Sequence, residues 1–228
     1  MKQVVQIRCK NNKKTQKVAN GSTLSDIFSS FNLKMEHGPV SAKVNNKVEG
    51  MHYRVYNNKD IEFLDMRTSS GSRAYTRTLF FVLCKAVQDL YPGHDVVIDI
   101  PVSNGFYVDV RLERDVTADD VDCIRKRMQE IVDARMPIRR YMVPTEDAIA
   151  LFEEKGDVEK VKLLRTSGSL YTTYYKIGEY VDFYYGTLLT NTSQLYLFGL
   201  EKYYDGMLLR IPSLKNPEIG RASCRERV

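Results

Sequence analysis

The sequence predicts an α+β protein built from two modest domains. Short runs with strand-like alternation are interleaved with segments whose apolar residues recur at helical spacing, as they do from Tyr75 to Tyr91. With 228 residues, 43% of them hydrophobic, the chain is long enough to bury a core in each domain. A polar stretch with clustered glycine and serine, Met66–Arg73, lies between the two parts. We therefore place a first domain at residues 1–66, a linker at 67–73 and a second domain at 74–212.

The first domain has the element order of a ubiquitin-like β-grasp. After a turn at Gly21, either Ser22 or Thr23 can cap a short helix that carries Leu24, Ile27 and Phe28 on one face. Strand-like runs surround this helix at residues 3–9, 15–19, 40–48 and 54–64. A hairpin, one helix and further strands within one small domain predict an α+β module of this kind.

The second domain opens with the helix Tyr75–Tyr91, which Pro92 and Gly93 end. Thr117-Ala118-Asp119-Asp120 has the spacing of a capping box and predicts the start of another helix. Strands are predicted at residues 96–100, 105–112 and 138–143, helices at 144–152 and 158–164, and strands and turns at 171–211.

Composition excludes several classes of protein. A formal charge of only +5 and an ordinary apolar fraction argue against disorder. No apolar run approaches the roughly 18 residues of a membrane span, and the polar opening is unlike a signal peptide. The four cysteines are too widely spaced for a zinc framework or a disulfide scaffold. We expect a cytoplasmic protein without a membrane partner, and the sequence does not specify its oligomeric state.

The last ten residues, 219–228, are similar to the translation of a widely used short-read sequencing adapter. The natural gene is then expected to be cut near Pro217, with residues 213–218 beginning a linker to a missing C-terminal domain. The segment carries three Arg and one Glu, so its removal lowers the formal charge from +5 to +3.

Two family resemblances cover nearly all of the remaining chain. Residues 3–66 resemble a TGS domain, the β-grasp module of threonyl-tRNA synthetases and of some GTPases, on the stretches 20–27 and 40–48. Residues 73–212 resemble the second, SAD-like domain of threonyl-tRNA synthetase, which is shared with alanyl enzymes and edits mischarged tRNA. The matching stretches are Asn104–Val110, Ala86–Pro92 and Glu179–Asp182.

This resemblance implies an editing site of two histidines four residues apart, together with a cysteine and a third histidine at the same spacing. The matching positions here are Arg77, Phe81, Tyr184 and Leu188. Phe81 and Leu188 offer no ligand atom, and an arginine does not give up its proton to act as a base. The three histidines, His37, His52 and His94, fall elsewhere. We therefore predict a degenerate site with no catalytic residue and no metal.

Side chains of the inherited cleft could still bind a ligand. Arg77 and Tyr184 are predicted to lie near each other there, with Asp182, as an anion or nucleotide subsite. Asp109 and Asp182 are the only nearby acids. Tyrosines between Tyr171 and Tyr185 either line a nucleoside pocket or pack a sheet, and alternation favours packing.

A TGS domain followed by a synthetase-like domain with a degenerate site resembles the front half of Bacteroides-type nucleoside (uridine) kinases. Our first hypothesis is therefore a non-catalytic regulatory or RNA/nucleotide-binding region of such a kinase. ATP and Mg²⁺ would belong only to a missing kinase domain, the partner in cis, because no P-loop motif occurs in this chain. The alternatives are an aminoacyl-tRNA editing hydrolase and the N-terminal part of a threonyl-tRNA synthetase, against which the loss of all four editing residues argues.

Three basic clusters are candidates for contact with RNA: Lys10, Lys13, Lys14 and Lys17; Arg125, Lys126 and Arg127; and Arg139 with Arg140. Solvated surface is the competing interpretation. Acidic residues interleave with the second cluster, and the charge is low, so solvated surface is favoured at this point.

Overall fold

A computed structural model describes residues 3–36, 38–102 and 105–212, except for the side chain of Asp99. The predicted linker start at 213–218 and the adapter-like segment 219–228 lie outside the described residues, as do His37 and Asn104. The described chain forms two compact bodies. The first body comprises the residues up to Met136 and those from Thr187 onward, and the second comprises Pro137–Gly186. The domain boundaries drawn from the sequence stay predictions.

The N-terminal region of the first body is a mixed sheet packed on one helix. Its elements are β1 (Val4–Cys9), β2 (Thr15–Ala19), β3 (Ser22–Thr23), α1 (Leu24–Ser30), β4 (Ser41–Val44), β5 (Lys47–Gly50), β6 (Arg54–Val55) and β7 (Lys59–Leu64). Five strands pair in the order β2-β1-β7-β4-β5, and β3 pairs with β6. Strands β1 and β7 run parallel, as the β-grasp order requires. The predicted α+β class with an initial β-grasp module is confirmed.

Strict alternation along β1 explains its place in the sheet. Val5, Ile7 and Cys9 are buried, whereas Val4, Gln6 and Arg8 face solvent. The buried set packs against Leu24 and Ile27 of α1 in one core. The helix is capped by Thr23 rather than Ser22, because Thr23 and Asp26 exchange reciprocal hydrogen bonds in a capping box.

The strand predicted across 40–48 is in fact a two-stranded hairpin. Strand β4 ends at Val44 and β5 begins at Lys47, with Asn45 and Asn46 at φ angles of 47° and 71°. Asparagine tolerates the left-handed conformation that a tight hairpin turn needs. The asparagine pair was therefore a turn signal within an otherwise strand-like run.

Helix α2 (Ser69–Leu90) begins six residues earlier than predicted, so its first turns occupy most of the segment expected to be a linker. Thr68 is its N-cap and accepts a hydrogen bond from Gly71 N at 3.1 Å. A Cβ atom at Gly71 would collide with the carbonyl oxygen of Asp65 and lie 2.7 Å from Val40 Cγ2. The glycine thus permits close packing of the helix on the β-grasp module. The segment resembles a flexible linker only in its composition.

The rest of the first body is a four-stranded antiparallel sheet with helical cover. Its elements are β8 (Val96–Val102), β9 (Gly105–Val110), α3 (Ala118–Asp133), a 3₁₀ turn (Thr192–Gln194), β13 (Gly199–Tyr203) and β14 (Gly206–Arg210), with strand order β13-β14-β9-β8. The rings of Phe80 on α2 and Phe106 on β9 meet edge to face, with 4.9 Å between centroids. The predicted capping box of α3 forms between Thr117 and Asp120.

The second body consists of β10 (Arg139–Pro144), α4 (Thr145–Glu154), α5 (Val158–Thr166), β11 (Tyr171–Ile177) and β12 (Tyr180–Phe183). The three strands form an antiparallel sheet in the order β10-β11-β12. Ala148, Phe152, Val161, Leu164 and Val181 form its core. Gly156, at a φ of 74°, ends α4, as the sequence predicts.

Within the described ranges, no helix is both long enough and apolar enough to cross a membrane.

Candidate functional site

Two of the predicted editing positions, Arg77 and Phe81, lie on α2, one helical turn apart. Arg77 is partly buried, and its Nη1 donates a hydrogen bond to the carbonyl oxygen of Thr187 at 3.1 Å. Phe81 is fully buried. The two positions are therefore occupied by side chains that serve packing and backbone anchoring, and neither can exchange a proton with a substrate at neutral pH.

Two further side chains of α2 hold the segment 187–197 against the helix. Buried Thr78 accepts a hydrogen bond from Leu189 N at 3.0 Å and donates one to Ala74 O at 2.7 Å. The hydroxyl of Tyr75 donates to Leu197 O at 2.8 Å and accepts from Leu197 N at 3.0 Å. Burial raises the pKa of Tyr75 above its ordinary range, so the phenol stays protonated.

Leu188, the last of the four predicted editing positions, lies within this segment. Leu188 and its neighbour Leu189 are both fully buried. The position that would carry a histidine in the resembling family therefore contributes an apolar side chain to the core. Thr78, Tyr75 and Leu188 therefore anchor residues 187–197, the segment that follows the second body in sequence, against α2.

Asp182, the predicted cleft acid, lies on β12 in the second body and is engaged in an ion pair. Lys160 Nζ lies 3.0 Å from Asp182 Oδ1 and 2.7 Å from Asp157 Oδ2. Phe183 N donates to Asp182 at 2.7 Å, and the hydroxyl of Tyr180 donates at 3.3 Å. Burial raises the pKa of Asp182, although the Lys160 ammonium opposes that shift. Because Lys160 belongs to α5, its ion pair with Asp182 holds α5 on the sheet.

The Lys160 ammonium is stabilised in this cluster. Burial disfavours its charge, but the two carboxylates outweigh burial and raise the pKa of Lys160. Its Nζ also lies 5.6 Å from the centroid of the Phe152 ring. No spacing pattern in the sequence indicates the ion pair of Lys160 with Asp182, which joins residues 22 positions apart.

Of the tyrosines predicted either to line a pocket or to pack a sheet, two pack within the second body and two are exposed to solvent. Tyr174 stacks on Tyr141 of the neighbouring strand with 5.1 Å between ring centroids. Tyr175 is buried and donates its hydroxyl to Gly186 O at 2.9 Å. Tyr171 and Tyr185 are exposed. Packing within the second body therefore accounts for the two central tyrosines of β11.

Arg77 belongs to the first body, whereas Tyr184 and Asp182 belong to the second. The shared anion or nucleotide subsite proposed for these three residues stays a prediction. Asp109 lies on β9, opposite Val97 in the strand register. Among the described residues, no group of three or more His, Cys, Asp or Glu side chains could hold a metal ion.

Sequence reasoning missed Thr78, Tyr75 and Lys160. A polar residue on the apolar face of a long helix was the available signal for Thr78, since a buried hydroxyl needs a partner. The identity of that partner, 111 residues away, is a tertiary fact that no local pattern contains.

Comparison with known proteins gives a consistent result. The chain is 28% identical over 181 residues to a threonine–tRNA ligase of Marinobacter nauticus and 27% identical over 192 residues to one of Clostridium kluyveri. A threonine–tRNA ligase of Syntrophotalea carbinolica is 32% identical over 181 residues. These matches cover 78–84% of this chain but only 28–30% of each relative, so the chain spans less than a third of their length. No protein-family profile matches the chain.

These relatives show that the nucleoside (uridine) kinase hypothesis is wrong, and a kinase domain in cis loses its support with it. That hypothesis rested on the order of the two domains and on the predicted degenerate site. ATP and Mg²⁺ were expected only for the kinase domain, and the expectation that this chain holds no cofactor stays a prediction. Over about four fifths of its length, the chain is similar to threonine–tRNA ligases.

Proposed function

We propose that this chain is the N-terminal part of a threonine–tRNA ligase-type protein and that it contacts tRNA without editing it. The observation that carries the proposal is the match of 78–84% of the chain to proteins named as threonine–tRNA ligases. In this reading, attachment of threonine to tRNA belongs to sequence beyond the matched part. A protein of this kind acts in the cytoplasm, where tRNA is charged.

The absence of editing chemistry follows from the side chains at the inherited positions. Hydrolysis of an aminoacyl ester needs a group that moves a proton or a metal that activates water. Arg77 donates to a backbone carbonyl, whereas Phe81 and Leu188 are fully buried hydrocarbon. Asp182 is bonded to Lys160 and to the backbone. Phe81 and Leu188 therefore supply no proton-transferring group, Arg77 keeps its proton, and the carboxylate of Asp182, a neighbouring acid, is already engaged in an ion pair.

Two measurements on the full chain test the proposal. Fluorescence anisotropy with labelled threonine tRNA is expected to give saturable binding that weakens as salt is raised. Incubation with threonine tRNA mischarged with serine is expected to release serine at the uncatalysed rate. A threonine–tRNA ligase with editing activity is the positive control for the second assay.

Each half of the proposal can fail separately. Binding no tighter than that of an unrelated protein of equal charge would remove the tRNA contact. Release of serine with turnover would instead favour the editing hydrolase, and an Arg77→Ala variant would show whether the α2 positions are responsible.

A further inference from the structure

The β1–β2 hairpin presents to solvent a group of cations that form no ion pair with any acid in the described ranges. We name this group the basic hairpin face, and it consists of Arg8, Lys10, Lys13, Lys14 and Lys17. All five side chains are exposed. Within the described part of the chain, none of them forms an ion pair, and the contact of Lys10 is a 3.5 Å hydrogen bond to the amide oxygen of Asn46. Their charge is therefore available to a partner.

The acids of the same module are mostly engaged elsewhere. Glu62 pairs with Lys43 at 3.7 Å, and Glu49 pairs with Lys47 at 2.9 Å. The remaining engaged acids are Asp26 in the α1 cap, and Glu36 and Asp65 beside Arg67. Asp60 lies opposite Arg8 in the β1–β7 register and forms no ion pair with a described residue. Residues 1–66 contain 11 Lys or Arg and 6 Asp or Glu, a formal charge of +5.

The hairpin is held in place by side-chain amides. Asn11 Nδ2 donates to Phe63 O at 2.9 Å, and Phe63 N donates to Asn11 Oδ1 at 2.8 Å. Lys14 N donates to Asn12 Oδ1 at 3.0 Å, and Cys9 N donates to Lys14 O at 2.8 Å. These bonds fix the turn that carries the lysines, so little backbone freedom is lost when a ligand binds.

The adjacent open face of the sheet is polar and flat. Arg8 pairs across the strands with Thr15, and Gln6 pairs with Lys17. A shallow depression of about 310 Å³ beside them is also lined by Asn45 and Asn58, by the cation Lys59 and by the acid Asp60. Amide and hydroxyl groups are common contacts for phosphate and sugar oxygens. The solvent-facing positions of β1 and β2 carry no aromatic ring on which an unpaired base could stack.

We propose that the basic hairpin face binds the phosphate backbone of an RNA stem. The proposal rests on the proposed function, in which tRNA supplies the stem. Arg8 and Lys17 on the two strands and Lys10, Lys13 and Lys14 in the turn between them present exposed cations to a row of phosphates. The exposed ring of Tyr56 lies at the far end of β2, beside Ala19 and Asn20, and the strand positions next to the cations carry no stacking ring, which favours a duplex over a single strand.

The test uses the full chain and two triple variants. One removes charge from the basic hairpin face through Arg8→Gln, Lys14→Gln and Lys17→Gln. The matched control removes three exposed cations from the rest of the chain through Lys126→Gln, Arg139→Gln and Lys162→Gln. Anisotropy with labelled threonine tRNA is measured over a range of salt concentrations, and urea unfolding checks that all three proteins are folded.

The hairpin variant is expected to bind at least about tenfold more weakly at low salt than the unmodified chain. Its slope of log K against log salt should fall by about 3, because each phosphate contact contributes about one. The control variant should keep the affinity of the unmodified chain. An unlabelled RNA duplex should compete with the tRNA better than a single strand of equal length.

The negative outcomes are distinguishable. If the unmodified chain does not bind tRNA, the proposed function fails and this inference falls with it. If the unmodified chain binds but the control variant loses as much affinity as the hairpin variant, only the inference is overturned. Competition by poly-aspartate as effective as that by the duplex would point to an acidic protein partner and would likewise overturn it.

Discussion

Cations in the β-grasp module and in the rest of the chain differ in what surrounds them. Residues 1–66 carry a formal charge of +5, whereas residues 67–212, with 19 basic and 21 acidic residues, carry −2. On α3, Arg125 pairs with Asp122 at 2.7 Å, and Arg127 pairs with Asp89 at 2.8 Å and with Glu130 at 2.9 Å. The basic hairpin face has no such pairs among the described residues. Clusters of Lys and Arg that look alike in sequence therefore differ in their availability to a ligand.

The largest expected effect tests whether the inherited editing position Phe81 serves packing. Phe81 is fully buried, so Phe81→Ala leaves a cavity and should lower the free energy of unfolding by about 4 kcal/mol. Leu90→Ala on the same helix is the control, because Leu90 is 39% exposed and its truncation should cost less than about 1 kcal/mol. Urea unfolding measures both. Equal, small effects would show that Phe81 does not support the core.

A somewhat smaller effect is expected at Asp120, a buried acid whose carboxylate accepts several hydrogen bonds. Its carboxylate accepts hydrogen bonds from Arg114, from Thr117 and from the hydroxyl of Tyr91, at 2.6, 2.7 and 2.7 Å. Asp120→Ala removes the capping box and leaves these donors unpaired, which should lower the free energy of unfolding by about 3 kcal/mol. Asp119→Ala, at an exposed neighbouring position, is the matched control.

The pH dependence of stability provides the second readout for Asp120. Arg114 holds the pKa of Asp120 well below its ordinary range, despite burial. A lowered pKa means that the unfolded chain binds the proton more readily. The stability that Asp120 contributes is therefore fully present above the pKa of the carboxyl in the unfolded chain, about 4. That stability is lost as the pH falls below this pKa. The difference in unfolding free energy between the unmodified chain and Asp120→Ala should shrink in acid, and a constant difference would contradict the ion-pair explanation.

The smallest expected effect is on the stability of the hairpin variant. Because Arg8, Lys14 and Lys17 form no ion pair with described residues, their replacement by Gln should change the free energy of unfolding by less than about 0.5 kcal/mol per site. The urea midpoint of the triple variant measures this. A large loss of stability would mean that these cations support the fold, and the contrast between the two regions would be weakened.

Local signals predicted local structure well. The capping box of α3 and the alternation of β1 depend on residues a few positions apart, so the sequence contains them. The start of α2 was predicted too late because Gly71 and its serines resemble a linker, although Gly71 is needed for contact with Asp65. Composition alone cannot distinguish a glycine that bends freely from one that permits close packing.

The candidate site was only partly predictable for the same reason. The side chains at the predicted editing positions, Arg77, Phe81, Tyr184 and Leu188, can be read directly from the sequence, and the degeneracy of that site stays a prediction. The hydrogen bonds of Thr78 and Tyr75 to residues more than 100 positions away depend on the tertiary fold. The kinase hypothesis failed because it transferred function from a shared order of domains, and fold-level analogy does not identify chemistry.

The short connection between β7 and α2 has a mechanical consequence. Thr68 Oγ1 donates to Asp65 O at 2.9 Å, Arg67 pairs with Asp65 at 2.6 Å, and Gly71 lies against the same turn. Because these contacts hold the junction on both sides, we expect the β-grasp module and α2 to move together. Residues 187–197, which Tyr75 and Thr78 attach to the same helix, are expected to follow that motion.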